Sequence, residues 1–210
     1  MSKLIQRNTC YSCYRPRTSC MCEYIHTVKT NTKFVILMHP KEFRKTKNGT
    51  GHFTNLSLKN SEIFIGIDFS NDEKINKMIN DENNSCYLLY PSDDSIKLNT
   101  QTISTTKQNI VFILDSTWPC SRKMLRLSKN LQKLTKISFV HSKSSAFKIK
   151  TQPNDYCLST IESTLCVLEL LNKHGIENIK SSDFDTFLMP FEKMVEYQVE
   201  CSKEKQIRFR

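Results

Sequence analysis

Glycine is scarce. The 210 residues hold four, Gly49, Gly51, Gly66 and Gly175, so neither a G-x-G-x-x-G dinucleotide turn nor a G-x-x-x-x-G-K-[ST] phosphate loop can be written in this chain. A nicotinamide, flavin or ATP site of the familiar kinds is not expected. Long apolar runs are also missing: nothing approaches the roughly 18–20 residues that span a bilayer, and the start MSKLIQRNTC lacks the apolar centre of a signal peptide. These absences predict a cytoplasmic protein without a membrane partner. Tryptophan occurs once, at Trp118.

Positive charge is plentiful. Lys and Arg total 31 against 21 Asp and Glu, giving a formal charge of +10 and a pI near 9.2. That excess favours an anionic partner such as nucleic acid, although an acidic membrane surface or a merely solvated basic exterior would look the same. Nine cysteines are present; their odd number and the absence of a leader favour reduced thiols or metal ligands over a disulfide framework. The length suits one main domain with a small appendage.

Four of the cysteines, Cys10, Cys13, Cys20 and Cys22, form a C-x2-C-x6-C-x-C array in a segment with little apolar periodicity. Four thiolates can close a tetrahedral structural zinc site and supply stability that such a segment cannot draw from a core. We therefore expect a zinc-binding module over residues 1–32 and the main domain over 33–210. Arg15 and Arg17 fall at the tip of this knuckle, either reaching phosphates or simply solvated. The cysteines at 86, 120, 157, 166 and 201 lack ligand-like spacing, and Cys120 reads as a partly buried thiol rather than a nucleophile.

From Lys33 onward short apolar runs alternate with polar or helical stretches. FVILM (34–38), EIFIGI (62–67), CYLLY (86–90), NIVFILD (109–115) and ISFV (137–140) have the length and the branched or aromatic content of buried strands. NDEKINKMIND and PCSRKMLRLSKNLQKL read as helices between them, which predicts an α/β fold with a largely parallel sheet. Residues 91–108 read as a loop. Ser159 and Glu162 have capping-box spacing at the start of a helix that carries Ile161, Leu165 and Leu168 on one face and stops near Gly175. A last helix is expected over about 185–205.

Two stretches point to a site. RKTKNGTGH (44–52) follows a strand; its glycines either let backbone amides approach a ligand or make an ordinary Asn-Gly turn. In FILDSTWPC (112–120) an acid, a hydroxyl and the lone Trp leave a strand, and Pro119 suits the first position of a helix. On that helix Met124, Leu127, Leu131 and Leu134 share one face, while Arg122, Arg126, Lys129 and Lys133 share the other. The basic face suits an RNA backbone or plain solvent. Strand, acid and helix start together have the look of the ligand-binding end of an open α/β sheet.

Asp115-Ser116-Thr117-Trp118 matches the D-x-T-W signature of the DTW-domain family, the tRNA-uridine aminocarboxypropyltransferases. PCSRKML, SAFKIKTQPNDYCLSTIE (145–162) and the cysteine array support the resemblance, which covers about residues 10–172. It implies a SPOUT-like α/β fold, a class in which the C-terminal part can be threaded as a knot. It also implies S-adenosyl-L-methionine as donor of a 3-amino-3-carboxypropyl group to N3 of a tRNA uridine, with methylthioadenosine released. Asp115, Thr117 and Trp118 would then be the catalytic residues. Asp115 would be either the proton acceptor, its pKa raised by burial against Trp118, or a positioning group; Thr117 would bond locally to hold the loop. Leu114, Ser116, Ser159, Thr160 and the turn Asn48, Gly49, Thr50 and Gly51 would hold the donor. Arg44, Lys45, Lys47, Arg122 and Lys123 would meet tRNA. No stable protein partner is expected. A SPOUT-like RNA methyltransferase and a non-catalytic zinc-containing RNA-binding protein are the alternative readings.

Overall fold

In the computed structural model, five of the six strands among the described residues are the runs just read. They are β1 (Lys33–Met38), β2 (Ser61–Ile65), β3 (Asn84–Leu89), β5 (Gln108–Asp115) and β6 (Thr135–Ser138); β4 (Ile96–Lys97) is a two-residue edge strand inside the stretch expected to be a loop. The structure describes residues 8–44, 49–104, 106–141 and 158–208, with side chains to 203 in the last span. The strands form one parallel sheet in the order β2-β1-β5-β3-β6-β4. β1 and β5, neighbours in its interior, are almost wholly buried, as continuous branched and aromatic runs require of strands covered on both faces.

Strand alternation divides the core in two. Ile110 and Phe112 of β5, with Val35 and Leu37 of β1, face a layer holding Ile75 of α3 (Glu73–Asn80), Met124 of α4 (Trp118–Leu127) and Leu131 of α5 (Lys129–Gln132). Val111 and Ile113, with Phe34, face the other layer. That layer holds Phe53 of α2 (Gly51–Ser57), Ile161, Val167 and Leu168 of α6 (Thr160–Lys173), Phe187 of α7 (Ser181–Phe187), and Phe191 and Met194 of α8 (Met189–Arg208). A short helix α1 (Pro40–Arg44) follows β1.

The helix expected over 119–134 is interrupted at Ser128, whose buried hydroxyl accepts a hydrogen bond from the Phe69 amide at 3.0 Å. Leu127, expected on the apolar face, is accordingly 37% exposed. The C-terminal helix also divides: Pro190, second residue of α8, lacks the donor that a helix interior needs and marks a fresh start. The capping box is present, with Glu162 accepting from the Ser159 amide at 2.8 Å and its hydroxyl at 2.6 Å. The helix ends where Gly175 takes a positive φ of 72°. The segment joining β6 to α6, on which a knot would depend, lies at 142–157 outside the described residues.

Residues 8–32 pack against the second layer. Cys13, Met21 and Val28 share its core, and Val28 exchanges backbone hydrogen bonds of 2.9 Å with Ser57 and Lys59.

Candidate active site

The chain leaves β1 over the face that carries α2 and leaves β5 over the face that carries α4. Adjacent strands whose connections depart on opposite faces open a crevice at their carboxyl ends, where open α/β sheets collect ligands. Asp115 closes β5 at this point, in register with Met38 at the end of β1.

Alternation puts Asp115 on the same side as Val111 and Ile113, toward α2 and α6, where it is 7% exposed. Its Oδ1 accepts a hydrogen bond from Thr160 Oγ1 at 2.6 Å. Its Oδ2 is sealed from solvent against Gly51, where an added Cβ would collide with it and would stand 2.7 Å from Met38 Cε. Gly51 is thus the first residue of a helix pressed on the carboxylate, not part of a surface turn. Trp118 does not supply the burial expected of it: it is 42% exposed, edge-on to Tyr90 with ring centroids 6.2 Å apart.

Beside Asp115 opens a cleft of about 400 Å³. Leu89, Tyr90, Leu114, Trp118 and Phe139 give it apolar walls, and Ser116, Ser121, Ser138, Thr160 and Ser163 supply hydroxyls. Ser116 and Ser121 are hydrogen-bonded to each other at 2.7 Å. The size and the mixture of flat apolar surface with a few hydroxyls suit a nucleoside-sized ligand.

Among the residues expected at the site, Leu114, Ser116, Trp118 and Thr160 line the cleft; Ser159 lies one residue outside it, at the cap of α6. Gly49, Thr50 and Gly51 do not line it, and Thr50, 6% exposed, precedes α2. Asn48, Lys45 and Lys47 lie outside the described residues. Thr117 makes no side-chain cap bond; its carbonyl accepts from the Ser121 amide at 2.8 Å, so the backbone holds the loop. Arg44, Arg122 and Lys123 are exposed, the last two on the first turns of α4.

Tyr90, Phe139 and His141 were not expected in the site. Each follows a strand's carboxyl end, a positional signal that the sequence carried once β3 and β6 were recognised. His39 is a further neighbour: it follows β1, its amide donates to the Asp115 carbonyl at 3.0 Å, and its Nδ1 accepts from the Lys41 amide at 3.1 Å. Burial, with help from Lys41 and Lys123, lowers its pKa.

The sulfurs of Cys10, Cys13, Cys20 and Cys22 all lie within 4.8 Å of one another, with Cys10–Cys22 at 3.6 Å and Cys13–Cys20 at 3.7 Å. These separations match the edges of a thiolate tetrahedron around a metal with bonds of about 2.3 Å and are far too long for disulfides. Backbone amides of Cys13 and Ser12 hold the Cys10 thiol down to about 6, whereas burial raises Cys20 and Cys22. Four sulfurs so disposed can hold one ion.

Arg15 is not at an exposed tip. It is 2% exposed, its guanidinium 5.0 Å over the Phe53 ring; burial lowers its pKa, and the nearby thiols of Cys13 and Cys20 oppose that shift. Tyr14, in the left-handed region at φ 59°, stacks obliquely on His52 at 5.0 Å, and Phe43 stands 5.3 Å from the same ring. The array is therefore bracketed to α1 and α2, the helices next to Asp115.

The DTW domain matches residues 7–199. The chain belongs to the DTW domain family. Its DTW residues are those at the carboxyl end of β5, with the cysteine array inside the matched span. The chain is 27% identical over 202 residues to tRNA-uridine aminocarboxypropyltransferase 2 of Drosophila melanogaster, covering 93% of this chain and 76% of that protein. It is 23% identical to the proteins of the same name from Macaca fascicularis and Mus musculus, over 199 and 205 residues, spanning 65% of their length. No solved structure matches this DTW domain. Among its described residues no helix is long and apolar enough to cross a membrane.

Proposed function

We propose that this DTW domain transfers the 3-amino-3-carboxypropyl group of S-adenosyl-L-methionine to N3 of a uridine in tRNA. The single observation that carries the reading is the placement of Ser116, Trp118 and Thr160 around a nucleoside-sized cleft, with Asp115 directly behind Thr160, in a chain whose relatives are named tRNA-uridine aminocarboxypropyltransferase 2. In the reaction N3 loses its proton to water at the open mouth and attacks the methylene carbon bonded to the sulfonium. The carbon–sulfur pair returns to sulfur, and neutral methylthioadenosine leaves.

The protein's contribution is orientation. The donor's methyl and methylene carbons compete, so selectivity depends on which of them the cleft aligns with the base. Apolar walls at Leu89 and Phe139 fit an adenine ring, and the hydroxyls of Ser116, Ser121 and Ser138 fit a ribose. Trp118, exposed at the mouth beside Tyr90, offers a face on which an unstacked base can rest. Arg122 and Lys123, on the helix that begins at Trp118, supply cations for the flanking phosphates. A zinc ion held by Cys10, Cys13, Cys20 and Cys22 would be structural, since four protein thiolates leave no open position for chemistry. A cytoplasmic location accords with these substrates.

Incubation with S-adenosyl-L-methionine and unmodified tRNA is expected to release methylthioadenosine. Release of adenosylhomocysteine would instead identify a methyltransferase. Replacing Arg122 and Lys123 together with alanine is expected to weaken tRNA binding. The slope of log affinity against log salt should become shallower by roughly 0.7–0.9 for each phosphate that is no longer neutralised; an unchanged slope would mark a merely solvated face.

A further inference from the structure

We propose that Asp115 is a positioning residue: its carboxylate orients the Thr160 hydroxyl so that this oxygen presents only lone pairs to the cleft, where they meet the ammonium or sulfonium end of the donor. The proposal deepens the transferase reading and rests on it.

A general base must come within about 2.6–3.2 Å of the proton it takes, directly or through one water. Both oxygens of Asp115 are turned away from the cleft, Oδ1 to Thr160 and Oδ2 against Gly51. Leu114, Ser116 and Thr160 all line the cleft, whereas Asp115, set between the first two in sequence, does not. The side chain leaves β5 on the α2 and α6 side, where Gly51 and Thr160 hold the carboxylate behind the cleft wall.

Thr160 is the group in between. It is the first residue of α6, whose start is fixed by the Ser159–Glu162 capping box, and it both lines the cleft and bonds Asp115 at 2.6 Å. A hydroxyl has one proton and two acceptor sites. With the proton committed to Asp115 Oδ1, only acceptor character remains on the cleft side, and lone pairs attract a cation. S-adenosyl-L-methionine carries two positive centres, its ammonium and its sulfonium, near the carbon to be transferred.

The test measures S-adenosyl-L-methionine affinity by calorimetry and the single-turnover pH–rate profile with tRNA, on the full chain. Asp115→Asn and Thr160→Val are each expected to weaken donor binding at least tenfold. The double variant should lose little more than either single one, because both remove one coupled unit. Thr160→Ser should restore most of the affinity, and the residual activity of Asp115→Asn should keep the pH profile of the unaltered protein. Wild-type donor affinity in Asp115→Asn, with a lost acid limb in the profile, would overturn the proposal and make Asp115 the base. If Asp115→Asn does not fold, Thr160→Val decides alone, and undiminished donor affinity in it would overturn the proposal. The transferase reading fails separately, if unaltered protein binds the donor but releases no methylthioadenosine with tRNA; the affinity arm still stands in that case. Absence of donor binding by the unaltered protein overturns both.

Discussion

Stripping metal from the four-cysteine array, or replacing Cys10 and Cys13 together with serine, is expected to destabilise the whole domain, not only its first thirty residues. Cys13, Met21 and Val28 belong to the same core as α2, α6 and α8, and Arg15 is buried between the thiols and the Phe53 ring. Without an ion, that guanidinium is left beside the thiols of Cys13 and Cys20, the latter with its pKa raised by burial. Structural zinc sites in finger peptides contribute about 10–16 kcal/mol of apparent binding free energy. If about 5 kcal/mol of that is coupled to the shared core, Tm falls by roughly 10–20 °C. Elemental analysis should find one zinc per chain in the unaltered protein and none in the double variant. Acidification should also release the ion, because protons compete for the same thiolates. A metal-free protein with unchanged Tm would contradict this account.

Gly51→Ala is expected to be the most damaging single substitution near the cleft. Its Cβ would overlap Asp115 Oδ2 and lie 2.8 Å from Asp115 Cγ and 2.7 Å from Met38 Cε, so the carboxylate or the start of α2 must move. Overpacking of this kind costs about 1–3 kcal/mol, and displacing Asp115 from Thr160 costs a further ~1.5–3 kcal/mol for a hydrogen bond to a charged group. Donor affinity should fall with stability. Gly175→Ala is the contrast: nothing lies within 4 Å of its Cβ, and only the left-handed backbone is penalised, by about 1–2 kcal/mol. Donor titration together with thermal unfolding separates the two cases. Equal effects in both variants would show that Gly51 has no special relation to Asp115.

The parts of the molecule that were legible in the sequence are those where one local signal dominates. Continuous apolar runs marked β1 and β5, because strands covered on both faces leave no room for polar residues. Cysteine spacing marked the cluster of four sulfurs that could hold an ion, and the capping box marked the start of α6. α2 escaped because GHFTNLS is too short for a helical period and is buried on several sides, including at His52 and Thr54. The break at Ser128 depends on a bond to Phe69, 59 residues away in sequence, and the burial of Arg15 depends on α2 and the thiols; neither has a local trace. At the site, D-x-T-W located the strand end correctly, but the direction of Asp115 needed the sheet. Alternation from Val111 could have shown it once β5 was placed.

The most direct measurement is the mass of tRNA nucleosides after incubation with the purified protein and S-adenosyl-L-methionine. A uridine heavier by one aminocarboxypropyl group is expected, formed in step with methylthioadenosine and absent when the donor is omitted. Unchanged nucleosides across a full set of cognate tRNAs, or a uridine gaining only a methyl group, would contradict the proposed transfer.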